Sequence, residues 1–418
     1  MRPRRDWTGG LVFEYIEGGV TAPAGIKASG VHAGFRKNPE RLDAALVVAQ
    51  GNPVAAGMFT TNVFCAAPVQ VSREVVADGD ACAVILNSGN ANAATGEPGL
   101  QIARKSQQLV ADALGCEASQ VAVASTGVIG VPLPYEPFVT GVPQLVDTLS
   151  EQGGHDAACA IMTTDTRPKE CAVRFEALGN TYTVGGMVKG SGMIQPNVAT
   201  MLAVITTDAP VSARGARATL QAAVANTFNK VTVDSDTSTN DSVFFFSSCA
   251  AGGDLLDHDD TPEQAAAFDQ LANAVHAVCE SLARQIAADG EGATKLVTVN
   301  VTGAANDEDA DAAARTIANS PLVKTAIAGH DCNWGRIAAA LGRSGVTFKQ
   351  EECDIDIMGI PVLRDGLPCG FDEDEALRRF EEDEIVIDVA LREGSASTRI
   401  WTCDFTHDYI SINADYRT

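Results

Sequence analysis

The 418-residue chain is poor in positive charge. It carries 30 Lys and Arg residues against 54 Asp and Glu residues, which gives a formal net charge of −24 at pH 7. Nucleic acids and anionic membranes bind clusters of Lys and Arg, so this composition argues against both as partners. No window approaches the run of about 18 uncharged apolar residues that a membrane span requires. A small anionic substrate remains compatible, because one local lysine can attract it.

The motifs of common catalytic and ligand sites are also missing. The chain contains no G-x-x-x-x-G-K-[ST], no G-x-G-x-x-G after a strand, no H-E-x-x-H and no G-x-S-x-G. Its six histidines never fall at metal-ligand spacing. The eleven cysteines are odd in number and include no C-x-x-C, which argues against a disulfide framework or a zinc site. We therefore expect a cytoplasmic protein that holds no metal and uses no histidine-based nucleophile.

Apolar periodicity predicts an α/β or α+β protein. The clearest helix follows Thr261 and Pro262, where Gln264 completes a capping box, and it ends near Gly290. One apolar stripe runs along it at spacings of three and four residues: Phe268, Leu271, Val275, Val278, Leu282 and Ile286. Further helices are predicted over residues 101–114, 307–318 and 333–341. Strands are predicted over residues 44–48, 82–86, 121–124, 201–205, 243–246, 295–301, 354–358, 385–390 and 397–402.

The stretch KGSGMIQPNVATMLAVITTDA, residues 189–209, places Thr200 where a glycine-containing loop becomes a buried strand. A threonine can act as a nucleophile without histidine if its own α-amino group is the base. That amine exists only if the peptide bond between Ala199 and Thr200 breaks. A loop with glycines and Pro196 can hold the unusual backbone that such a break requires. The alternative interpretation is an ordinary threonine at the start of a strand.

Two other stretches carry chemistry that could serve such a nucleophile. Residues 123–128, VASTGV, form a predicted strand that enters a small polar turn. A hydroxyl and a backbone N–H from this turn can build an oxyanion hole, and a simple turn is the alternative. Residues 234–241, DSDTSTND, form either a solvated loop or a source of side chains for a cleft.

Many stretches in order resemble one enzyme family, the ornithine acetyltransferases, also called glutamate N-acetyltransferases. The resemblance covers nearly the whole chain. It is carried by KGSGMIQPNVATMLAVITTDA and by GGVTAPAGIKASGVHAGF (18–35), AAGMFTTN (55–62), AAPVQVS (66–72), ILNSGNANAATG (85–96), ASTGVIG (124–130), IMTTDTRPK (161–169), DSDTSTND (234–241), DGEGATK (289–295) and HDCNWGR (330–336).

The resemblance implies a layered αββα-type self-cleaving nucleophile fold with a smaller C-terminal α/β portion. It implies cleavage between Ala199 and Thr200 into an α chain, 1–199, and a β chain, 200–418, that form one catalytic unit. Two copies of each chain are expected to assemble as a heterotetramer. The implied reaction is a ping-pong transfer of acetyl from N-acetyl-L-ornithine to L-glutamate through acetyl-Thr200, in arginine biosynthesis.

The resemblance also implies a set of site residues. Thr126 and Gly127 match the oxyanion-hole pair. Substrate contacts carry over to Thr163 (preferred to Thr164), Lys189, Thr200, Glu291, Asn413 and Thr418. Lys189 suits a substrate α-carboxylate and Glu291 a cationic δ-amino group. No cofactor is expected, and whether acetyl-CoA serves as a second acetyl donor stays open.

The sequence departs from the family pattern in a few places and leaves two other functions open. Val198, Ser235 and Cys332 stand where Met, Gly and Pro are usual, and Ser235 is notable because glycine would permit a positive φ there. The second enzyme hypothesis is a self-processed amidohydrolase or aminopeptidase of the same fold, in which water replaces glutamate. The third is a non-catalytic small-molecule binding protein that never cleaves.

Overall fold

A computed structural model describes residues 13–195, 201–257 and 261–415. These residues form two compact units. Unit 1 holds residues 13–190, 201–229, 237–257 and 261–282, and unit 2 holds residues 191–195, 230–236 and 283–415. Both units mix helices with sheets, which confirms the predicted α/β class. Within the described ranges, no helix has the length and hydropathy to cross a membrane.

Unit 1 contains two sheets. Its strands are β1 (Phe13–Ile16), β2 (Ile26–Val31), β3 (Ala44–Ala49), β4 (Val54–Phe59), β5 (Ala83–Asn90), β6 (Val121–Val128), β7 (Lys169–Ala177), β8 (Asn180–Lys189), β9 (Leu202–Thr207) and β10 (Ser242–Ser247). Its helices are α1 (Ala67–Val75), α2 (Gly96–Leu114), α3 (Glu136–Asp147), α4 (Gly154–Ala160), α5 (Ala213–Asn226) and α6 (Pro262–Ala288), the last belonging to unit 1 as far as Leu282. Among the described residues, the sheet orders are β1-β7-β8-β9-β10-β4 and β2-β3-β5-β6.

The two sheets of unit 1 are stacked between helices. Leu202 and Val204 on one face of β9 share a hydrophobic core with the β2-β3-β5-β6 sheet. Ile205 points to the other face, where Gly186 leaves room for Val278 of α6. Helices α2 and α3 lie against the β2-β3-β5-β6 sheet. This order of helix, sheet, sheet and helix confirms the expected αββα layering.

The predicted helix signals hold, with one shifted start. In α6, the Thr261 hydroxyl accepts the Gln264 backbone N–H at 3.2 Å, and every residue of the predicted apolar stripe is buried. Helix α2 begins at Gly96, five residues before the predicted start at residue 101. Pro98 is compatible with this earlier start, because a proline in the first turn of a helix lacks only an N–H that the helix does not need there.

Unit 2 matches the smaller α/β portion that the family resemblance implies. Its strands are β11 (Leu296–Ala304), β12 (Asp354–Ile357), β13 (Ile360–Arg364), β14 (Leu367–Pro368), β15 (Glu384–Ala390) and β16 (Ala396–Cys403), in the sheet order β14-β13-β12-β15-β11-β16. Its helices are α7 (Asp307–Ala318), α8 (Pro321–Ala328), α9 (Trp334–Gly342), α10 (Glu373–Arg379) and α11 (His407–Ala414). Strands β11 and β15 are parallel, and their alternating Val and Ile residues face a core built with α7.

Candidate active site

Strands β8 and β9 lie on either side, in sequence, of the segment that contains the predicted nucleophile. They pair antiparallel in the middle of the larger sheet of unit 1, with Lys189 opposite Leu202. Strand β9 is buried along its whole length, as its apolar sequence predicts. Ala199 and Thr200, the predicted cleavage site, lie outside the described residues, and so do Val198 and Thr418. Strand β8 therefore ends at Lys189 and strand β9 begins at Leu202, on either side of the predicted cleavage site in the sequence.

Thr126 and Gly127 lie on β6 rather than in the turn that the sequence suggested. Strand β6 runs on to Val128 beside the parallel strand β5, and the register is irregular at Gly89 and Asn90. Gly127 has a φ of 134°, and a Cβ there would lie 2.3 Å from the carbonyl carbon of Gly89. Only glycine fits this close approach. Both predicted oxyanion residues are half-buried, which leaves them accessible.

Two asparagines that sequence reasoning missed fix the backbone beside Thr126. The Ser125 hydroxyl donates to Oδ1 of Asn87 at 2.6 Å, and Nδ2 of Asn240 donates to the Ser125 carbonyl at 2.8 Å. All three side chains are buried, so these bonds are shielded from water. Asn87 and Asn240 belong to the ILNSGNANAATG and DSDTSTND stretches, and membership of these two motifs is the sequence feature that could have identified them. The second stretch therefore supplies a buried side chain, Asn240, that holds the backbone next to Thr126.

A buried carboxylate organises the loop between α4 and β7 in unit 1. Oδ1 of Asp165 accepts Nζ of Lys169 at 2.7 Å and the Gly190 backbone N–H at 2.7 Å. Nζ of Lys189 lies 3.8 Å from Oδ2, an ion pair longer than a normal hydrogen bond. Burial alone would raise the pKa of Asp165, but the Lys189 and Lys169 ammonium groups hold that pKa well below its usual range. Asp165 is therefore an anion in the folded protein, although the sequence analysis did not single it out.

Thr163 is tied to the same carboxylate. Its backbone N–H donates to Oδ2 of Asp165 at 2.9 Å, and its carbonyl accepts the Arg41 guanidinium at 3.2 Å. The structure thus brings Thr163 and Lys189, two predicted substrate contacts, to one carboxylate. This arrangement favours Thr163 over Thr164, and the substrate contact itself stays a prediction.

Glu291 and Asn413, two further predicted substrate contacts, meet in unit 2. Nδ2 of Asn413 donates to Oε2 of Glu291 at 2.8 Å, and Glu291 is only 6 % exposed. Helix α11 carries Asn413, and Gly292 allows its approach because a Cβ there would lie 2.5 Å from the Tyr409 backbone nitrogen. The C-terminal segment is thus folded as far as it is described, which the predicted role of Asn413 requires.

Asp234 holds the segment of unit 2 that leads toward the predicted cleavage site. Its two carboxylate oxygens accept the backbone N–H groups of Met193 at 2.6 Å and Ile194 at 2.8 Å. Burial raises the pKa of Asp234, and these backbone N–H groups act in the opposite direction. The neighbouring Ser235 has a φ of 67°, so it occupies the left-handed region that glycine adopts more readily. The departure from the family pattern at Ser235, where glycine is usual, therefore places a serine in a backbone conformation that favours glycine.

Comparison with known proteins assigns the family. The ArgJ family matches residues 27–418. The chain belongs to the ArgJ family. An arginine biosynthesis bifunctional protein ArgJ from Symbiobacterium thermophilum is 47% identical over 407 residues, which are 97% of this chain and 100% of that protein. The ArgJ protein of Thermosynechococcus vestitus is 46% identical over 422 residues, which are 97% of this chain and 99% of that protein.

Two crystal structures are also similar in sequence. ArgJ from Bacillus halodurans is 46% identical with a TM-score of 0.46, and the match covers 50% of this chain and 96% of that one. Ornithine acetyltransferase from Mycobacterium tuberculosis, solved with ornithine, is 42% identical with a TM-score of 0.42, and the match covers 45% of this chain and 100% of that one. The family membership confirms the resemblance read from the sequence, and as an ArgJ protein the chain is an acyltransferase of arginine biosynthesis.

Proposed function

We propose that this ArgJ protein transfers acetyl from N2-acetyl-L-ornithine to L-glutamate through an acetyl ester on Thr200, forming L-ornithine and N-acetyl-L-glutamate. The observation that carries the proposal is the β8–β9 pairing, which sets Lys189 opposite Leu202. An ammonium group suited to an amino-acid carboxylate thereby lies beside the strand that begins two residues after Thr200. The two relatives from Symbiobacterium thermophilum and Thermosynechococcus vestitus are arginine biosynthesis proteins, which supports the same substrates.

Self-cleavage would create the catalytic amine. The Thr200 hydroxyl attacks the Ala199 carbonyl carbon, and the C–N bond breaks to give an ester and a free α-amino group. Water then hydrolyses the ester, leaving a carboxylate on Ala199 and a free hydroxyl on Thr200. The new amine has a reference pKa of roughly 7.7–8.0, so a large fraction can accept a proton near neutral pH.

In the transfer cycle, the α-amine of Thr200 takes the proton of its own hydroxyl as Oγ attacks the acetyl carbonyl. The Thr126 hydroxyl and the Gly127 N–H stabilise the oxyanion that forms. The amine then delivers the proton to the departing nitrogen, and ornithine leaves. The α-amine of glutamate attacks the ester, and the same groups act in reverse. Metal and cofactor have no role in these steps.

Individual side chains would orient the substrates. Lys189 meets the α-carboxylate and Thr163 lies beside it, while Glu291 attracts the δ-ammonium of ornithine. Asn413, which already contacts Glu291, orients that carboxylate, and Thr418 completes the set. The α and β chains would remain associated after cleavage because β8 and β9 keep their hydrogen bonds in the middle of one sheet. Two copies of each chain, a cytoplasmic location and acetyl-CoA as a second donor complete the proposal.

Mass measurement of the denatured protein, followed by an assay with and without glutamate, tests the function. We expect fragments 1–199 and 200–418, and glutamate-dependent release of ornithine from acetylornithine. Thr200→Ala should abolish both cleavage and transfer, and a processed alanine variant would contradict the mechanism. Release of ornithine that does not depend on glutamate would favour the amidohydrolase hypothesis. An intact, inert wild-type chain would favour a binding protein.

A further inference from the structure

Three neutral side chains of unit 2, Gln195, Thr232 and Asn319, meet in one hydrogen-bonded network that the proposed reaction does not use. Nδ2 of Asn319 donates to Oε1 of Gln195. Oγ1 of Thr232 lies 2.6 Å from Oδ1 of Asn319 and 3.2 Å from Oε1 of Gln195. The single proton of this hydroxyl serves the shorter contact, so Thr232 donates to Asn319. The three side chains thus form a closed triangle.

Rigid elements of unit 2 hold two members of this network. Thr232 is fully buried, and its backbone N–H donates to the Trp401 carbonyl on β16 at 2.9 Å. Asn319 follows the last residue of α7, and its backbone N–H donates to the Arg315 carbonyl at 2.9 Å. Buried alanines of α7 pack in the core of unit 2, which fixes this end of the helix. The network therefore connects Gln195 to the folded core.

Gln195 is the residue through which this network reaches the predicted cleavage site. Its backbone N–H donates to the Asp236 carbonyl at 2.9 Å, so both its main chain and its side chain are held. Gln195 lies four residues before Ala199 in the sequence, and a proline follows it directly. A residue before proline is restricted to extended conformations. The chain therefore enters the segment that would cleave from a residue whose position and direction are fixed.

Self-cleavage depends strongly on the positions of its reacting atoms. The attacking oxygen and the carbonyl carbon have to approach to about 3–3.5 Å in one orientation, and a displacement of about 1 Å can lower a rate about 100-fold. Each residue that is free to move before the scissile bond adds conformational entropy, which the chain loses when it reaches the reactive geometry. Fixing Gln195 shortens the part of the chain that carries this entropy.

We propose that Thr232 and Asn319 are positioning residues for self-cleavage, which act by holding Gln195. The inference goes beyond the proposed acetyl transfer and rests on that proposal only for the cleavage between Ala199 and Thr200. The bonds that form and break are unchanged: an ester forms as the C–N bond breaks, the hydroxyl proton passes to the departing nitrogen, and water hydrolyses the ester. The network supplies no group to these steps and acts only on their geometry.

Pulse-chase synthesis of the full chain in a cell-free system, followed by denaturing electrophoresis, measures how fast the intact chain is converted to its two fragments. Thr232→Val keeps the shape of the side chain and loses only the hydroxyl. Cleavage of this variant should slow roughly 5- to 50-fold, the effect of leaving one buried polar group unpaired. Thr232→Ser keeps the hydroxyl and should cleave nearly as fast as the wild type. A role in packing alone predicts the opposite order, because serine leaves a small cavity and valine does not.

The double variant Thr232→Val/Asn319→Ala tests whether the two residues act together. Each change breaks the same network, so the slowing in the double variant should be close to that of the slower single variant and well below the product of the two. Thr219→Val is the matched control, since Thr219 is buried in α5 of unit 1 and its hydroxyl has no hydrogen-bond partner among the described residues. Its cleavage rate should equal that of the wild type. Circular dichroism verifies that each variant is folded.

Three results with the variants would overturn the inference: cleavage of Thr232→Val at the wild-type rate, equal slowing of Thr232→Ser and Thr232→Val, or single effects that multiply in the double variant. Acetyl transfer is assayed on the cleaved wild-type protein and separates this inference from the proposed function. Cleavage in the predicted order without any transfer would refute the transfer and support the inference. Transfer by the wild type, with Thr232→Val cleaving at the full rate, would do the reverse. A wild-type chain that never cleaves would overturn both.

Discussion

Gly127→Ala probes the close approach of β6 to β5, on which the oxyanion assignment depends. The new Cβ would lie 2.3 Å from the Gly89 carbonyl carbon and 2.5 Å from the Asn90 nitrogen. Carbon atoms prefer a separation of about 3.5–4.0 Å, so the strands would have to part by about 1 Å. Such overpacking costs about 1–3 kcal/mol. An alanine at a φ of 134° adds backbone strain of about 1–3 kcal/mol.

Gly127→Ala should therefore lower the free energy of unfolding by about 2–6 kcal/mol. It should also lower the transfer rate about 100-fold, because Thr126 and Gly127 are displaced. Gly130→Ala is the matched control, since Gly130 also has a positive φ, 78°, but no atom within 4 Å of the new Cβ. That control should lose only about 1–2 kcal/mol. Thermal melting and acetyl-transfer kinetics compare the two variants. Equal melting temperatures and equal rates would refute the close approach and its link to catalysis.

Three further changes have defined outcomes. Thr126→Ala should fold normally and lower the acetylation rate roughly 10²- to 10³-fold, as loss of one oxyanion donor does, and an unchanged rate in stopped-flow assays would remove Thr126 from this role. Ser235→Gly should raise the free energy of unfolding in urea by about 0.5–1 kcal/mol. Glycine removes the strain of a serine in the left-handed region, and the greater conformational entropy of glycine in the unfolded chain offsets part of that gain. Asp236→Gly is the control: Ser235 has a positive φ and Asp236 does not, so this change should not raise the stability. The pKa of Asp165 is lowered on folding, so its stabilising contribution is fully present above the unfolded pKa of about 4 and is lost progressively as the pH falls from there toward the lower pKa of the folded state. Melting curves of the wild type should therefore decline more steeply below that pH than those of Asp165→Asn/Lys169→Met, and parallel curves would contradict the assignment.

Local sequence signals predicted the elements whose structure depends on their own periodicity. The apolar stripe of α6 and its Thr261 cap are visible in one stretch of chain, and the structure confirms both. Strand β9 was likewise predicted from its apolar run alone. These elements are determined by residues that are neighbours in sequence, so no tertiary information was needed.

Features that depend on distant partners escaped prediction. The extension of β6 through Thr126 to Val128 follows from its parallel pairing with β5, some forty residues earlier in the chain. The importance of Asp165 follows from its contacts with Lys169 and Lys189, and the antiparallel pairing of β7 with β8 sets Lys169 opposite Val188. A single sequence shows the residues but not these pairings.

The candidate site itself was predicted chiefly through the family resemblance. Residue types and spacing alone suggest a nucleophile at Thr200 and an oxyanion hole at Ser125–Gly127, but they are equally compatible with an ordinary strand start and a simple turn. It gave no reason to join Glu291 with Asn413, which are separated by more than a hundred residues and meet because α11 folds against Gly292. The asparagines that hold Ser125 were visible only as polar residues within longer motifs.

Covalent acetylation of Thr200 is tested most directly by mass spectrometry of the denatured protein after incubation with acetylornithine in the absence of glutamate. The fragment that begins at residue 200 should gain the mass of one acetyl group, located on the Thr200 side chain, and should lose it when glutamate is added. An unmodified fragment, or an acetyl group on another residue, would contradict the proposed chemistry.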